Sequence, residues 1–252
     1  MAYDLDMSKQ YDIRPISSDF TLRATSNERW QPSHDIEKYI DGIWENEKDI
    51  RGDHLFNGEL FGVIHADENE ISGQWFEYRY YLAARKQPDL FLDNPLPIPA
   101  GVSGVLYHDD YVVFAKRSDK VMCYPNQLEL APSGAIDPSC FDKKTLLLDY
   151  RKLILKELEE EVAISADQII QVIPYAIGRD HCDPSYEVCL QLKPIMSYGQ
   201  MQNFVSTLTN QEYTEFHVIA LNELQKYIDR NIEQIIPISQ AMLQQLGLIT
   251  LD

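Results

Sequence analysis

The sequence predicts an α/β fold: a sheet layered with helices over residues 101–252, preceded by a smaller α+β segment over residues 1–100. Three observations carry this. Strand and helix patterns alternate from residue 105 to the end. DNPLPIPAGVSG, residues 93–104, is rich in Pro and Gly and marks a boundary. LLLDYRKLILKELEEEVAI, residues 146–164, reads as one helix, dominated by Leu, Lys, Glu and Ala with no Gly or Pro.

Taken in order, YDIRPI (11–16) and FTLRAT (20–25) read as strands about a turn at Ser17–Asp19. Pro32–Asp35 caps a helix over about 36–47, with Ile36, Tyr39, Ile40 and Ile43 at helical spacing. Asn57-Gly58 is a two-residue turn signal between apolar residues. EYRYYLAARKQ (77–87) is a tyrosine-rich helix. Beyond the boundary, VLYHDDYVVFAKRSD gives two strands joined at His108–Asp110. Strands follow at 167–177, about 186–192 and 217–221, with helices at 198–208, at 222–230 behind an Asn222/Gln225 capping box, and at 236–249.

The 146–164 helix carries an anomaly. Its apolar line runs Leu146, Tyr150, Leu153/Ile154 and then, in register, Glu157, Glu161 and Ile164. Glu160 lies at the border of this stripe; Glu159 falls on the opposite face with Lys152 and Lys156. Three of four glutamates therefore point where leucines belong. Like charges three and four apart repel by about 0.2–0.5 kcal/mol per pair, and the macrodipole disfavours them in the last turns. Inward carboxylates must be protonated, paired or bound to a cation; Mg²⁺ takes one or two carboxylates plus substrate phosphates.

Composition limits the partners. The net charge of −18 over 252 residues argues against a nucleic-acid backbone or an anionic membrane. An anionic substrate must be drawn in by a local basic group and a metal. Cys123, Cys140, Cys182 and Cys189 form no C-x-x-C pair, and MAYDLDMSKQ does not read as a signal peptide, so reduced thiols in a cytoplasmic setting are expected. No run approaches the eighteen or so apolar residues of a spanning helix.

KELEEEVAI, Lys156 to Ile164, resembles the end of the Nudix box, R-E-U-x-E-E-x-G-U with U aliphatic. Glu157, Glu160 and Glu161 match the acidic positions that hold metal in that family, and Gly134 of LAPSGAIDP stands where the box begins. Lys156 replaces the Arg, Ala163 the last Gly, and Gly134 to Ile164 is 31 residues, longer than the family's box, with the excess expected to loop out around Pro138–Lys144. The resemblance implies an α/β/α sandwich with a mixed sheet over 101–252 and hydrolysis, with Mg²⁺ or Mn²⁺, of a nucleoside diphosphate linked to another group. FNG (56–58), YRYYL, Gly101-Val102-x-Gly104-Val105, VVFAKRS and DPSYEVCLQL, in that order, resemble the UDP-glucose/UDP-galactose diphosphatase branch. That implies UMP and a sugar 1-phosphate as products.

The chemistry implied is attack of metal-activated water on phosphorus. The candidate catalytic residues are Glu157, Glu160, Glu161 and Glu187, the first three also the metal ligands; Glu215 is a second candidate base. Phosphate contacts need Arg or Lys, and Arg117 at the end of VVFAKRS, Arg179 of GRDH and Gly134 are the candidate substrate contacts. The aromatic N-terminal half, with Trp30, Trp44 and Trp75, offers either core or a base-stacking surface. The expected partner is a small nucleotide, not nucleic acid or membrane. A nucleotide-binding sensor without turnover is the competing class: the degenerate front of the box favours it, and the intact E-x-x-E-E end opposes it. Hydrolysis of ADP-ribose or dinucleotides is the rival within the enzyme class.

Overall fold

A computed structural model of the chain describes residues 11–52, 55–208 and 212–251; the stretch read for a leader lies outside them. The described strands are β1 (Tyr11–Pro15), β2 (Thr21–Arg29), β3 (Glu59–Ala66), β4 (Glu70–Glu77), β5 (Ile98–His108), β6 (Tyr111–Arg117), β7 (Leu128–Leu130), β8 (Ser133–Ala135), β9 (Ile169–Asp180), β10 (Ser185–Pro194) and β11 (Tyr213–Ala220). The α-helices are α1 (His34–Arg51), α2 (Tyr78–Lys86), α3 (Tyr150–Val162), α4 (Tyr198–Val205), α5 (Leu221–Asn231) and α6 (Pro237–Gln245). The fold is mixed α/β, as the alternating pattern requires. No helix among the described residues is long and apolar enough to cross a membrane. Among the described residues no disulfide joins any of the four cysteines.

The chain divides into two compact units. One contains the described residues up to Phe20, residues 101–134, and those from Tyr150 on. Its strands run β1-β9-β10-β5. β1 joins them because Tyr11–Pro15 pairs antiparallel with Ala176–Asp180. β10 and β5 run the same way, since Gly101 faces Glu187 and Gly104 faces Leu192. β5 turns at Asp109–Asp110 into β6, which pairs with β7 and β11.

The two faces of this sheet follow from the two-residue period of strands. Val105, Val112, Phe114, Leu128 and Leu130 point one way and pack with Leu224 and Ile228 of α5 and Ile238 and Met242 of α6. Arg117 and Glu129 point the other way, toward α3, where Tyr213 meets Glu161. The layers are thus α5/α6, sheet, α3.

The other unit holds residues 21–100 and 135–149. β3 and β4 form an antiparallel hairpin, β2 lies parallel to β4, and the start of β5 pairs with β3. Ile40, Phe76, Tyr80, Ala83 and Phe91 are its core. Arg79 ties α1 to α2 by pairing with Glu37, Asp41 and Glu77. The excess length of the acidic segment belongs here: Phe141 packs on Trp75, their ring centroids 5.5 Å apart.

Several boundaries differ from the sequence reading. The acidic helix begins at Tyr150, not Leu146. Leu146 has φ +61°, and the Leu146 carbonyl and Leu148 N–H bond to Ala24 and Leu22 at 2.8 and 2.9 Å; these backbone groups are spent on β2 and cannot nucleate a helix. Asn57-Gly58 joins no hairpin; the turn lies at Asp67–Asn69, where the Asp67 carboxylate accepts from the N–H groups of Asn69 and Glu70. Asn222/Gln225 is not a capping box, because α5 starts at Leu221 and Gln225 bonds Thr250 and Asp229.

Candidate active site

The α3 glutamates separate by depth. Glu161 is 6% exposed and Glu157 has a side chain 13% exposed, whereas Glu160 is 58% exposed; the Lys156 ammonium reaches both Glu157, at 3.2 Å, and Glu160, at 3.1 Å. Glu159 is exposed. The inward pair is therefore Glu157 and Glu161, one turn apart on one face. Glu160 points to solvent: from Glu157 it lies about 60° round the helix on the side away from Glu161, so the border position resolves outward.

Glu161 is anchored through one oxygen. Its Oε2 accepts from the Ser133 N–H at 3.0 Å and from the Tyr213 hydroxyl at 3.2 Å. Burial pushes its carboxyl up to about 10, with Glu212, Glu129 and Glu157 adding negative charge nearby and the Ser133 N–H opposing them. Glu157 is pressed against Gly134: a methyl group there would lie 2.5 Å from the Glu157 carboxyl carbon. Only a residue without Cβ lets that carboxylate approach the strand.

A second glycine makes room for a third carboxylate. A methyl group on Gly101 would lie 2.6 Å from Glu187 Oε2 and 3.0 Å from the Gly134 carbonyl oxygen. Glu187 Oε2 accepts from the Ser103 hydroxyl at 3.0 Å. Burial raises the Glu187 carboxyl to about 7. Glu187, on the α6 side of β10 because its ladder partner Gly178 faces Ile238, and Glu157, from α3, thus flank two adjacent glycine backbones from opposite faces of the sheet. Gly101 and Ser103 were not singled out in the sequence as neighbours of Glu187; a glycine inside a strand is the signal that marks such a close approach.

The basic candidates sit differently. Arg117 pairs with the buried Glu129, and its Nε donates to the Cys123 carbonyl at 3.1 Å. It is an internal group on the α3 face of the sheet. Arg179 stacks on Tyr186, 5.4 Å from the ring centroid, and its Nε is buried without a hydrogen-bond partner. Tyr186 and Glu187 are adjacent on β10 and therefore point to opposite faces, so Arg179, stacked on Tyr186, lies on the face away from the Glu187 side chain. Glu215 is exposed and pairs with Lys116 at 3.3 Å.

A divalent cation is the group that the sequence resemblance implies, and the donor chemistry fits one. Glu157 and Glu161 offer hard oxygen donors, and a carboxyl kept protonated by burial and neighbouring acids gains most from an added positive charge. Among the described residues no three His, Cys, Asp or Glu side chains converge as a ready cage. A two-carboxylate site completed by water and phosphate oxygens needs none.

No protein-family model matches the chain, and no curated protein matches it. Among solved structures it is similar to a Deinococcus radiodurans protein, with 15% identity and a TM-score of 0.43 over 68% of this chain and 89% of that one. It is also similar to the NUDIX domain of Shewanella oneidensis NrtR complexed with ADP ribose, at 15% identity and a TM-score of 0.39 over 64% and 96%. A C. elegans Ap4A hydrolase aligns at 13% identity and a TM-score of 0.36 over 58% and 95%.

Proposed function

We propose that the chain is a Nudix-type hydrolase that cleaves a nucleoside diphosphate linked to another group, using Mg²⁺ or Mn²⁺. The observation that carries this reading is the inward pair Glu157 and Glu161, with Gly134 holding open the space that the Glu157 carboxylate enters.

Glu157 and Glu161 would hold the cation, with Glu160 at its solvent side. When bound, the cation neutralises phosphate oxygens and acidifies a coordinated water. Glu187 is assigned the base role on its ionisation, because a carboxylate titrating near 7 is matched to base chemistry at neutral pH. The Ser103 hydroxyl fixes the orientation of its Oε2. Gly134 exposes backbone to the substrate side. Arg179, braced on Tyr186, is the better placed of the two arginines to meet a phosphate, since Arg117 is engaged by Glu129.

For the substrate we propose a UDP-sugar, on the resemblance of FNG, VVFAKRS and DPSYEVCLQL to that branch. The deciding measurement is kcat/KM for UDP-glucose against ADP-ribose and ADP-glucose under identical Mg²⁺. Preference for the adenine compounds overturns the UDP-sugar reading and leaves the hydrolase; turnover of none of these or of a dinucleotide supports a sensor.

A further inference from the structure

We propose that Tyr213 is the positioning residue for Glu161, and that the buried Arg117–Glu129 pair exists to commit the Tyr213 hydroxyl proton to it. The inference rests on the cation-binding reading above.

Three features converge. Tyr213 is 2% exposed and its ring is packed edge-on against Phe216, so its hydroxyl has a fixed location. That hydroxyl donates to Glu161 Oε2 at 3.2 Å. Glu129 and the Ser133 side chain are its other polar neighbours. Ser133 acts twice, because its N–H is the other donor to Glu161 Oε2.

A phenol has one proton to donate. Two buried carboxylates cannot both receive it, and a buried carboxylate left without a donor is strongly destabilising. Arg117 resolves the competition. It sits directly across from Tyr213 in the β6–β11 ladder and its Nη1 satisfies Glu129. With Glu129 supplied, the phenol proton goes to Glu161. The two donors on Oε2 then hold the carboxylate in one rotamer on the inner face of α3. This explains a strand-end arginine turned inward in a chain of net charge −18.

The test is Mn²⁺ binding in the absence of substrate, followed by electron paramagnetic resonance of the free ion. Tyr213→Phe keeps the ring and changes no charge, so it reads position and not field. Loss of a group that orients a metal ligand typically weakens affinity 10–100-fold; the expectation here is a Kd raised about tenfold, with the circular dichroism spectrum unchanged. Tyr227→Phe, which removes a hydroxyl bonded to His217, is the control and leaves the Kd as it was. A Tyr213→Phe Kd within twofold of wild type overturns the positioning role while leaving the metal site standing. A wild type that binds no Mn²⁺ overturns the metal reading and this inference with it. If Tyr213→Phe does not fold, Mg²⁺ is added to the wild type and the near-UV difference spectrum recorded: a tyrosine band supports the contact, and a flat difference overturns it.

Discussion

Gly134 lies directly against Glu157, with the space for a side chain at 134 already filled by the glutamate's carboxyl group. Nothing in the backbone dihedrals demands glycine here, since Gly134 is not among the positive-φ residues; the requirement is purely one of room. Gly134→Ala is therefore expected to displace Glu157 and leave the strand intact. Displacement of a catalytic group by about 1 Å costs roughly 10²-fold, so kcat/KM should fall by about that factor. The stability cost should stay within the roughly 1–3 kcal/mol of overpacking. Steady-state kinetics beside urea unfolding separates the two effects.

The depth ordering on α3 makes a graded expectation. Glu157→Gln and Glu161→Gln should each lower kcat by about 10²–10⁴-fold, the range for a positioned carboxylate. Glu159→Gln, on the exposed face, should change it less than twofold, about what an isolated surface group contributes. A comparable loss at Glu159 would mean that the inner face of the helix is not where the chemistry occurs.

Ala163 stands at the C-terminal end of α3 with φ +56°, and its N–H closes on the Glu159 carbonyl at 3.2 Å. A left-handed conformation costs an L-residue roughly 1–2 kcal/mol. Glycine relieves that but raises the entropy of the unfolded chain. Ala163→Gly is expected to stabilise by about 0.5–1 kcal/mol net, seen as a higher urea midpoint at unchanged slope.

How much of this was readable follows from which forces act locally. The inward phase of Glu157 and Glu161 was legible because helical periodicity alone determines it. The start of α3 was not: Leu146–Leu148 satisfy every local helix preference, and it is their backbone bonds to β2 that claim them. Arg117 reads as a cation at a strand end, and nothing nearby in sequence reveals Glu129, twelve residues on, as its partner. The pairing arises when β6 and β7 come together. Glu187 was found as an acid beside a turn; the burial that raises its carboxyl is made by the folded sheet, where Gly101 and Ser103, more than eighty residues away, pack against it.

Glu187 also links activity and stability to pH in opposite directions. Its carboxyl is moved from the ordinary 4.5 to about 7 by burial, against the opposing hydrogen bond from Ser103. Between those values the folded chain holds a proton that the unfolded chain has released. Folding is then linked to proton uptake, so the contribution of Glu187 to stability is full below about 4.5 and is lost as pH rises through about 7. If Glu187 is the base, only its ionised form acts, and kcat/KM should rise over the same window and level above it. Glu161, raised to about 10, continues the downward slope of stability beyond neutrality, so the wild-type curve alone does not isolate Glu187. The difference between wild type and Glu187→Gln does. Urea unfolding of both, at intervals from pH 4 to 8, is expected to show the wild type losing stability relative to the variant across that window, with the variant's residual activity no longer rising through pH 7. A pH-independent difference would mean that Glu187 is already ionised at mildly acidic pH, and would remove it from the role of base.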